Sequence, residues 1–165
     1  MKLNIRILQK DDVKQTYVDW FSNKEVIRYS NNQYRTFTYE GQISYVNNCL
    51  NNPNIDLYGI FDKNHHIGNV SIIGLNSPHK RAEITYVIGN TDYWRKGVGH
   101  FAISSIIELA KNDYKLNKLF ASLVENNLSS RRLLEKNCFV IEGKRNKHLF
   151  FNGTFYNQLD YGLLL

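Results

Sequence analysis

Apolar residues along this chain recur at two spacings, and the switches between them mark its elements. Leu3 to Leu8 alternates apolar with polar positions and predicts a short strand. A helical spacing follows, with Val13, Tyr17, Trp20 and Phe21 on one face and Asp11 or Asp12 as its cap. Asn23 to Arg28 fits a short helical turn, and Tyr29 to Arg35 has no period and reads as a loop. Thr38 caps the next helix, which turns Ile43, Val46, Cys49 and Leu50 inward and stops at Asn51-Asn52-Pro53-Asn54. Three strands come next, Ile55 to Phe61, His66 to Leu75 and Ala82 to Ile88, with polar turns between them. A loop from Gly89 to Gly97 opens into a helix with Val98, Ala102, Ile106, Leu109 and Ala110 inward. Lys118 to Val124 is a strand, and Leu128 to Lys136 is a short helix with Leu133 and Leu134 apolar. Phe139 starts a strand that runs to the region of Phe150, Asn152-Gly153 is a hairpin turn, and Thr154 to Leu164 returns. No repeat, low-complexity segment or linker interrupts this order. It predicts an α+β (α/β) fold, a single domain over residues 1–165 with a mixed sheet flanked by helices.

One junction in this pattern carries chemistry. Tyr93-Trp94-Arg95-Lys96-Gly97-Val98-Gly99-His100 leads from a strand into a helix. Two glycines let the backbone approach a ligand, and the first free amides of the helix point at it together with the positive end of the dipole. Arg95 and Lys96 add full charges, so the stretch is a cradle for a phosphate or pyrophosphate. It is not a dinucleotide fingerprint, which needs a third glycine and an early βαβ unit. No Gly-Lys-Ser or Gly-Lys-Thr of a Walker loop occurs. A second polar stretch, Glu125 to Phe139, starts where a strand ends, with Asn127 and Ser129 as helix caps or as groups that hold the remainder of a long ligand.

Composition narrows the setting. The net charge of +6 favours anionic ligands, but Lys and Arg are scattered, with none of the basic stripe and interleaved aromatics that a nucleic-acid binder wants. No apolar run is long enough to span a membrane, and the N-terminus lacks a signal-peptide core. Cys49 and Cys138 sit in apolar surroundings without metal-ligand spacing, so each reads as a buried reduced thiol of a cytoplasmic protein that holds no metal.

Taken together, the two polar stretches resemble the acyl-CoA N-acyltransferase superfamily, GNAT. The chain is most similar to its ribosomal-protein N-terminal acetyltransferase (RimJ/RimL-like) branch and that branch's polyamine and amino-sugar relatives. The family's Gln/Arg-x-x-Gly-x-Gly/Ala loop stands here as Trp94-Arg95-Lys96-Gly97-Val98-Gly99, with Trp94 as the departure. The later motif, Asn-x-x-Ser-x-x-Leu-Leu-Glu-Lys-x-x-Phe, is matched by Asn127, Ser130, Leu133, Leu134, Glu135, Lys136 and Phe139, with Cys138 where glycine is usual. The hairpin Phe151 to Tyr156 resembles this branch as well. The resemblance implies the GNAT fold, a mixed, mostly antiparallel twisted sheet, and acetyl-CoA as cofactor.

It also implies roles for residues. Arg95, Lys96, Gly97, Val98, Gly99 and His100 would take the pyrophosphate through their amides. Val87, Ile88 and Gly89 would pair with the pantetheine arm as an added strand does, one amide near Ile88 polarising the thioester carbonyl. Asn127 would bind the same arm. Many relatives protonate the departing thiolate with a tyrosine where this chain has Leu134, and the ribosomal-protein branch uses the serine that maps to Ser130. A tyrosine introduced at Leu134 is expected to be tolerated. Glu83 and His148 are the candidate bases for the acceptor amine. Tyr29, Tyr34, Arg35 and Tyr39 are candidate acceptor contacts.

The expected function is acetyl-CoA-dependent N-acetylation of a primary amine on a small molecule such as a nucleotide-linked amino sugar. The alternative is a protein N-terminus as acceptor. The rival from another class is a non-catalytic CoA-binding or nucleic-acid-binding module. No carboxylate occurs from Val26 to Tyr39, which argues against a polycationic acceptor. Neither nucleic acid nor membrane is expected as a partner, and the chain is read as a monomer or homodimer.

Overall fold

The strands differ in how they are covered: Ile55–Asp62 and His65–Ile73 are buried on both faces, Arg81–Ile88 alternates, and Val140–Phe151 is exposed along most of its length. The computed structural model describes residues 1–165. Seven strands form one sheet: β1 (Leu3–Ile7), β2 (Ile55–Asp62), β3 (His65–Ile73), β4 (Arg81–Ile88), β5 (Lys118–Val124), β6 (Val140–Phe151) and β7 (Thr154–Leu164). Five helices accompany them: α1 (Gln15–Trp20), α2 (Lys24–Ile27), α3 (Tyr39–Leu50), α4 (Val98–Asn112) and α5 (Leu128–Lys136). The sheet order is β1-β2-β3-β4-β5-β7-β6, antiparallel throughout except for the parallel pair β4 and β5.

That parallel pair decides where a ligand can enter. β4 and β5 are joined only through Arg81 with Lys118, Ala82 with Leu119 and Glu83 with Phe120. Beyond Glu83 the strands part, and β4 keeps a partner only in β3. The larger core lies on the α4 side of the sheet. Ala82 and Ile84 of β4 and Leu119 and Ala121 of β5 meet Ala102, Ile103 and Ile106 of α4 there. A smaller core lies on the other face, where Tyr17 and Trp20 of α1 and Val46 and Cys49 of α3 cover Leu57 and Phe61. The asparagine–glycine turn has both residues at positive φ, 51° and 76°, as a two-residue hairpin of the primed type requires.

Four local expectations are corrected. Asp11 and Asp12 do not cap α1. They lie in a short 3-10 turn, Lys10–Asp12, and the residue before α1 is Lys14. Asp12 instead receives two 2.6 Å bonds from the Arg6 guanidinium and one of 2.8 Å from the Gln9 amide, which consumes its capping capacity. The aperiodic loop holds one more 3-10 turn, Asn31–Tyr34, capped by Ser30. Leu50, expected inward, is exposed because α3 ends there. Cys138 is exposed, not buried; it follows the C-cap of α5 at φ +65, a left-handed conformation that turns its side chain outward, while Cys49 is buried. No helix is long and apolar enough to cross a membrane.

Candidate functional site

The parting of β4 from β5 leaves backbone groups without partners. Hydrogen-bonded pairs alternate along an antiparallel ladder. The Gly89 amide donates to the Ile67 carbonyl at 3.0 Å, so Gly89, Val87 and Thr85 turn their backbone groups toward β3. Tyr86 and Ile88 therefore turn theirs into the gap. The Ile88 carbonyl is taken up by the indole Nε1–H of Trp94 at 2.8 Å. The Ile88 amide and both backbone groups of Tyr86 remain open to an extended ligand lying along β4.

At the end of that edge stands the cradle. Arg95 and Gly97 have φ of +59° and +83°, and this alternation in a turn makes successive amides converge on one concavity. Gly97 is the N-cap of α4, and the first intrahelical bond runs from the Phe101 amide to the Gly97 carbonyl at 3.0 Å. The amides of Val98, Gly99 and His100 thus face outward with the dipole behind them. A Cβ on Gly97 would meet no protein atom within 4 Å, so the space over it is open for a ligand. Gly99 is needed for a different reason: a Cβ there would lie 2.7 Å from Leu133 Cδ2, and α4 could not approach α5. His100 points its Nδ1 at the Asn137 Oδ1, 2.9 Å away, and ties the same two helices together.

α5 brings the second polar stretch to the gap. Asn127 caps it, its Oδ1 accepting from the Ser130 amide at 3.2 Å, which leaves its Nδ2 free to donate to a ligand. Ser130 is half-buried, and its hydroxyl faces that of Tyr86. Burial pushes the Tyr86 hydroxyl up to about 12, with Ser130 pulling in the opposite direction. Tyr86 was not foreseen. Its signal was the alternation Ala82, Ile84, Tyr86, Ile88, which sets one hydroxyl among the core-facing residues of β4. Leu134 is 0% exposed and lies in the larger core, so a tyrosine there would have to be fitted into packed surroundings, which weighs against the expectation that it is tolerated.

On the opposite face of β4 a cavity of about 410 Å³ lies between the sheet, α3 and the segment that follows α2. Thr85, Tyr86 and Val87 form its wall toward β4. Arg35 is the one charged residue lining it, and no carboxylate does. Of the four expected acceptor contacts only Arg35 is at this cavity. Tyr29 and Tyr34 are spent on the β6–β7 hairpin: Tyr29 meets the Tyr156 ring edge-on at 6.3 Å, and Tyr34 stacks on Phe151 at 6.1 Å and donates to the Phe150 carbonyl. Tyr39 begins α3 with its side chain exposed and does not line the cavity.

The two candidate bases separate. Glu83 is on the same face of β4 as Thr85 and Val87, half-buried and without a hydrogen-bond or ion-pair partner, but it stands just outside the cavity lining, which begins at Thr85. Its carboxyl is raised above the usual range, first by burial and then by the negative Asp160. Burial also raises Asp160, but bonds from Gln158, Ser122 and Arg145 outweigh it and hold that carboxyl low. His148 is exposed on the edge strand β6, at the bulge between Arg145 and Leu149, and does not line the cavity; the bulge turns it outward.

A sheet parted at a parallel pair, with an amide cradle at the end of the open edge, defines an acyl-CoA-dependent acyltransferase architecture. The chain belongs to the acetyltransferase (GNAT) domain family, whose model matches residues 2–140. Members of that family use acetyl-CoA. The uncharacterized N-acetyltransferase YoaA of Bacillus subtilis (strain 168) is 32% identical over 98 residues, covering 59% of this chain and 55% of that protein. The chain thus matches about half the length of that curated relative. Among solved structures, spermidine N-acetyltransferase from Vibrio cholerae in complex with CoA and spermine is similar with a TM-score of 0.87. It has 20% identity, over 99% of this chain and 95% of that one. Ribosomal-protein-S5-alanine acetyltransferase from Vibrio fischeri has a TM-score of 0.86 and 22% identity, over 99% and 93%. These two share the fold.

Proposed function

We propose that the chain transfers an acetyl group from acetyl-CoA to a primary amine on a small, neutral or anionic molecule. The observation that carries this reading is the position of β4 between the two substrate spaces: its open edge ends at the amide cradle, and its other side forms the wall of the cavity. Acetyl-CoA supplies an activated acyl thioester. The amides of Arg95 to His100 would hold its pyrophosphate, and the open edge at Tyr86 and Ile88 its pantetheine arm, joined by the Asn127 Nδ2. The Ile88 amide points into the gap as a donor to the thioester oxygen. Glu83, unpaired, with a raised pKa and on the same face of β4 as the cavity wall, would take the proton of the acceptor ammonium through intervening water. The amine nitrogen would bond to the thioester carbonyl carbon as the carbon–sulfur bond breaks; the Ser130 hydroxyl, facing Tyr86, would give the thiolate its proton and be reprotonated by the second N–H proton that the nitrogen sheds, carried through water.

The cavity argues against polycations. Spermidine would enter a space whose one charged side chain is Arg35, with no carboxylate to receive it. A nucleotide-linked amino sugar remains a member of the favoured class. A second reading, acetylation of a protein N-terminus, is supported by the shared fold with the ribosomal-protein-S5-alanine enzyme. Steady-state release of free thiol from acetyl-CoA tests the proposal with four acceptors: a nucleotide-linked amino sugar, glucosamine 6-phosphate, spermidine and an Ala-starting peptide. Turnover of a sugar amine above the other two supports it; spermidine as the best acceptor overturns it, and the peptide as the best acceptor selects the second reading.

A further inference from the structure

We propose that the acceptor amine carries an anionic group, a carboxylate or a phosphate, that docks where α3 begins, on the Arg35 guanidinium, the Gln42 amide and the Tyr45 hydroxyl. The inference rests on the transferase reading above and adds the chemical class of its second substrate.

Gln42 is 4% exposed, lines the cavity and makes no side-chain hydrogen bond within the protein. No side-chain nitrogen or oxygen of the chain is both sealed and unpartnered. The small accessible part of Gln42 is therefore its amide, and the space it meets is the cavity. An amide has no packing reason to be there. Gln42, Val46 and Cys49 fall four and then three residues apart on one face of α3, and the other two are buried apolar side chains of the smaller core. Open to the cavity and without a protein partner, this amide is available to donate its N–H to a bound group.

The neighbouring groups set the sign of that group. Tyr45 follows Gln42 by one helical turn and lines the cavity; its hydroxyl meets the Cys49 thiol and Ser71 of β3 and lies in the field of Arg35. The Arg35 guanidinium makes no ion pair. Thr38 and Gly41 bring the N-terminal, positive end of α3 to the same wall, and Glu40 of that turn is exposed and outside the lining. A guanidinium donates only, and the amide and hydroxyl can donate to the same atoms, so an oxyanion is the complement. An ammonium at this end would meet a like charge. With the anion at α3, the amine of the same molecule would be directed toward Thr85 and Val87, which line the cavity on the β4 side. The cavity, about 410 Å³, is within the size range of small-molecule sites, roughly 300–1,000 Å³. It has room for an amino acid or a phosphorylated amino sugar, and the nucleotide part of a larger acceptor would extend beyond the cavity.

Paired acceptors test this: glucosamine 6-phosphate against glucosamine for a phosphate, and alanine against alaninamide for a carboxylate. Rates of thiol release are measured in wild type and Arg35→Gln, with calorimetric titration of each compound into CoA-saturated protein alongside. In at least one pair the anionic member is expected to show a kcat/KM tenfold or more higher, or the tighter Kd, and Arg35→Gln is expected to bring the ratio close to one while acetyl-CoA affinity stays unchanged. Gln42→Leu should reduce the same ratio. Equal or better use of the neutral member, a ratio that survives Arg35→Gln, or no binding of either anion overturns the proposal. Arg35-dependent binding of an anion without thiol release from any amine would uphold this subsite and overturn the transferase reading instead.

Discussion

The Trp94 indole donates to the Ile88 carbonyl at 2.8 Å and so fastens the phosphate-cradling loop to the open end of β4. Trp94 stands where the family's loop carries a glutamine or arginine, and the bond gives its large side chain a positional role in place of a charge. Trp94→Phe keeps the ring and removes one hydrogen bond, a loss of about 0.5–1.5 kcal/mol. The expected outcome is a KM for acetyl-CoA raised severalfold with kcat little changed, read by initial-rate kinetics. A fall in kcat at constant KM would show that the loop does not need this tether.

Gly97→Val is expected to abolish acetyl-CoA binding in a folded protein. The new side chain would project into the open space over the cradle and would have to hold φ near +83°, a left-handed conformation that costs a branched residue about 1–3 kcal/mol. Calorimetry with acetyl-CoA, beside a circular dichroism melt, separates lost binding from lost fold. Unchanged affinity counts against the cradle.

Ser130→Ala should lower kcat by about 10²-fold with little effect on the KM for acetyl-CoA, as removal of a general acid does. Tyr86→Phe should lower kcat less, and the double variant should resemble Ser130→Ala alone, because both hydroxyls act at one point. Additive losses would mean that the two do not work together.

The pH profile should report Glu83. A base must be ionised, and burial with the Asp160 charge raises this carboxyl, so the acid limb of kcat/KM is expected above the usual range for glutamate. Asp160→Asn removes the repelling charge and frees the Arg145 guanidinium beside it, and both changes favour ionised Glu83. The acid limb then moves to lower pH. A limb that stays in place in Asp160→Asn, or survives in Glu83→Gln, assigns it to another group.

Leu134→Tyr should destabilise the protein by about 1–3 kcal/mol through overpacking of a sealed site. A lowered Tm checks this; an unchanged Tm would require room in the core beside α5.

Elements whose ends carry their own chemistry were legible in the sequence. The Asn127 cap, the Asn152-Gly153 turn and the polar turn at Asn117 delimit β5, α5 and β7, and those three elements have the bounds their patterns predict. The start of α1 was not legible, because the side chain that looked like its cap is claimed by Arg6 from another element. The cradle was readable because one continuous stretch builds it. The acceptor cavity was not, because it is assembled from α1, α3, β3 and β4, and proximity across a sheet leaves no local trace. Tyr34 illustrates the difference: as an aromatic in a polar loop it reads as a ligand contact, and only its approach to Phe150 and Phe151 shows that the hairpin uses it. Gln42 leaves a trace in the sequence, as an amide that interrupts an apolar helical stripe.

The short junction of β4 with β5 has a mechanical consequence. Four strands on one side and three on the other meet through Arg81–Glu83 and Lys118–Phe120, so the sheet bends most cheaply along that line. A long ligand laid against β4 would act as a splint across the hinge. Cofactor occupancy would then be felt as stiffness at the far hairpin as well as at the cradle, and amide exchange in β5 and β7 would slow in step with that in β4.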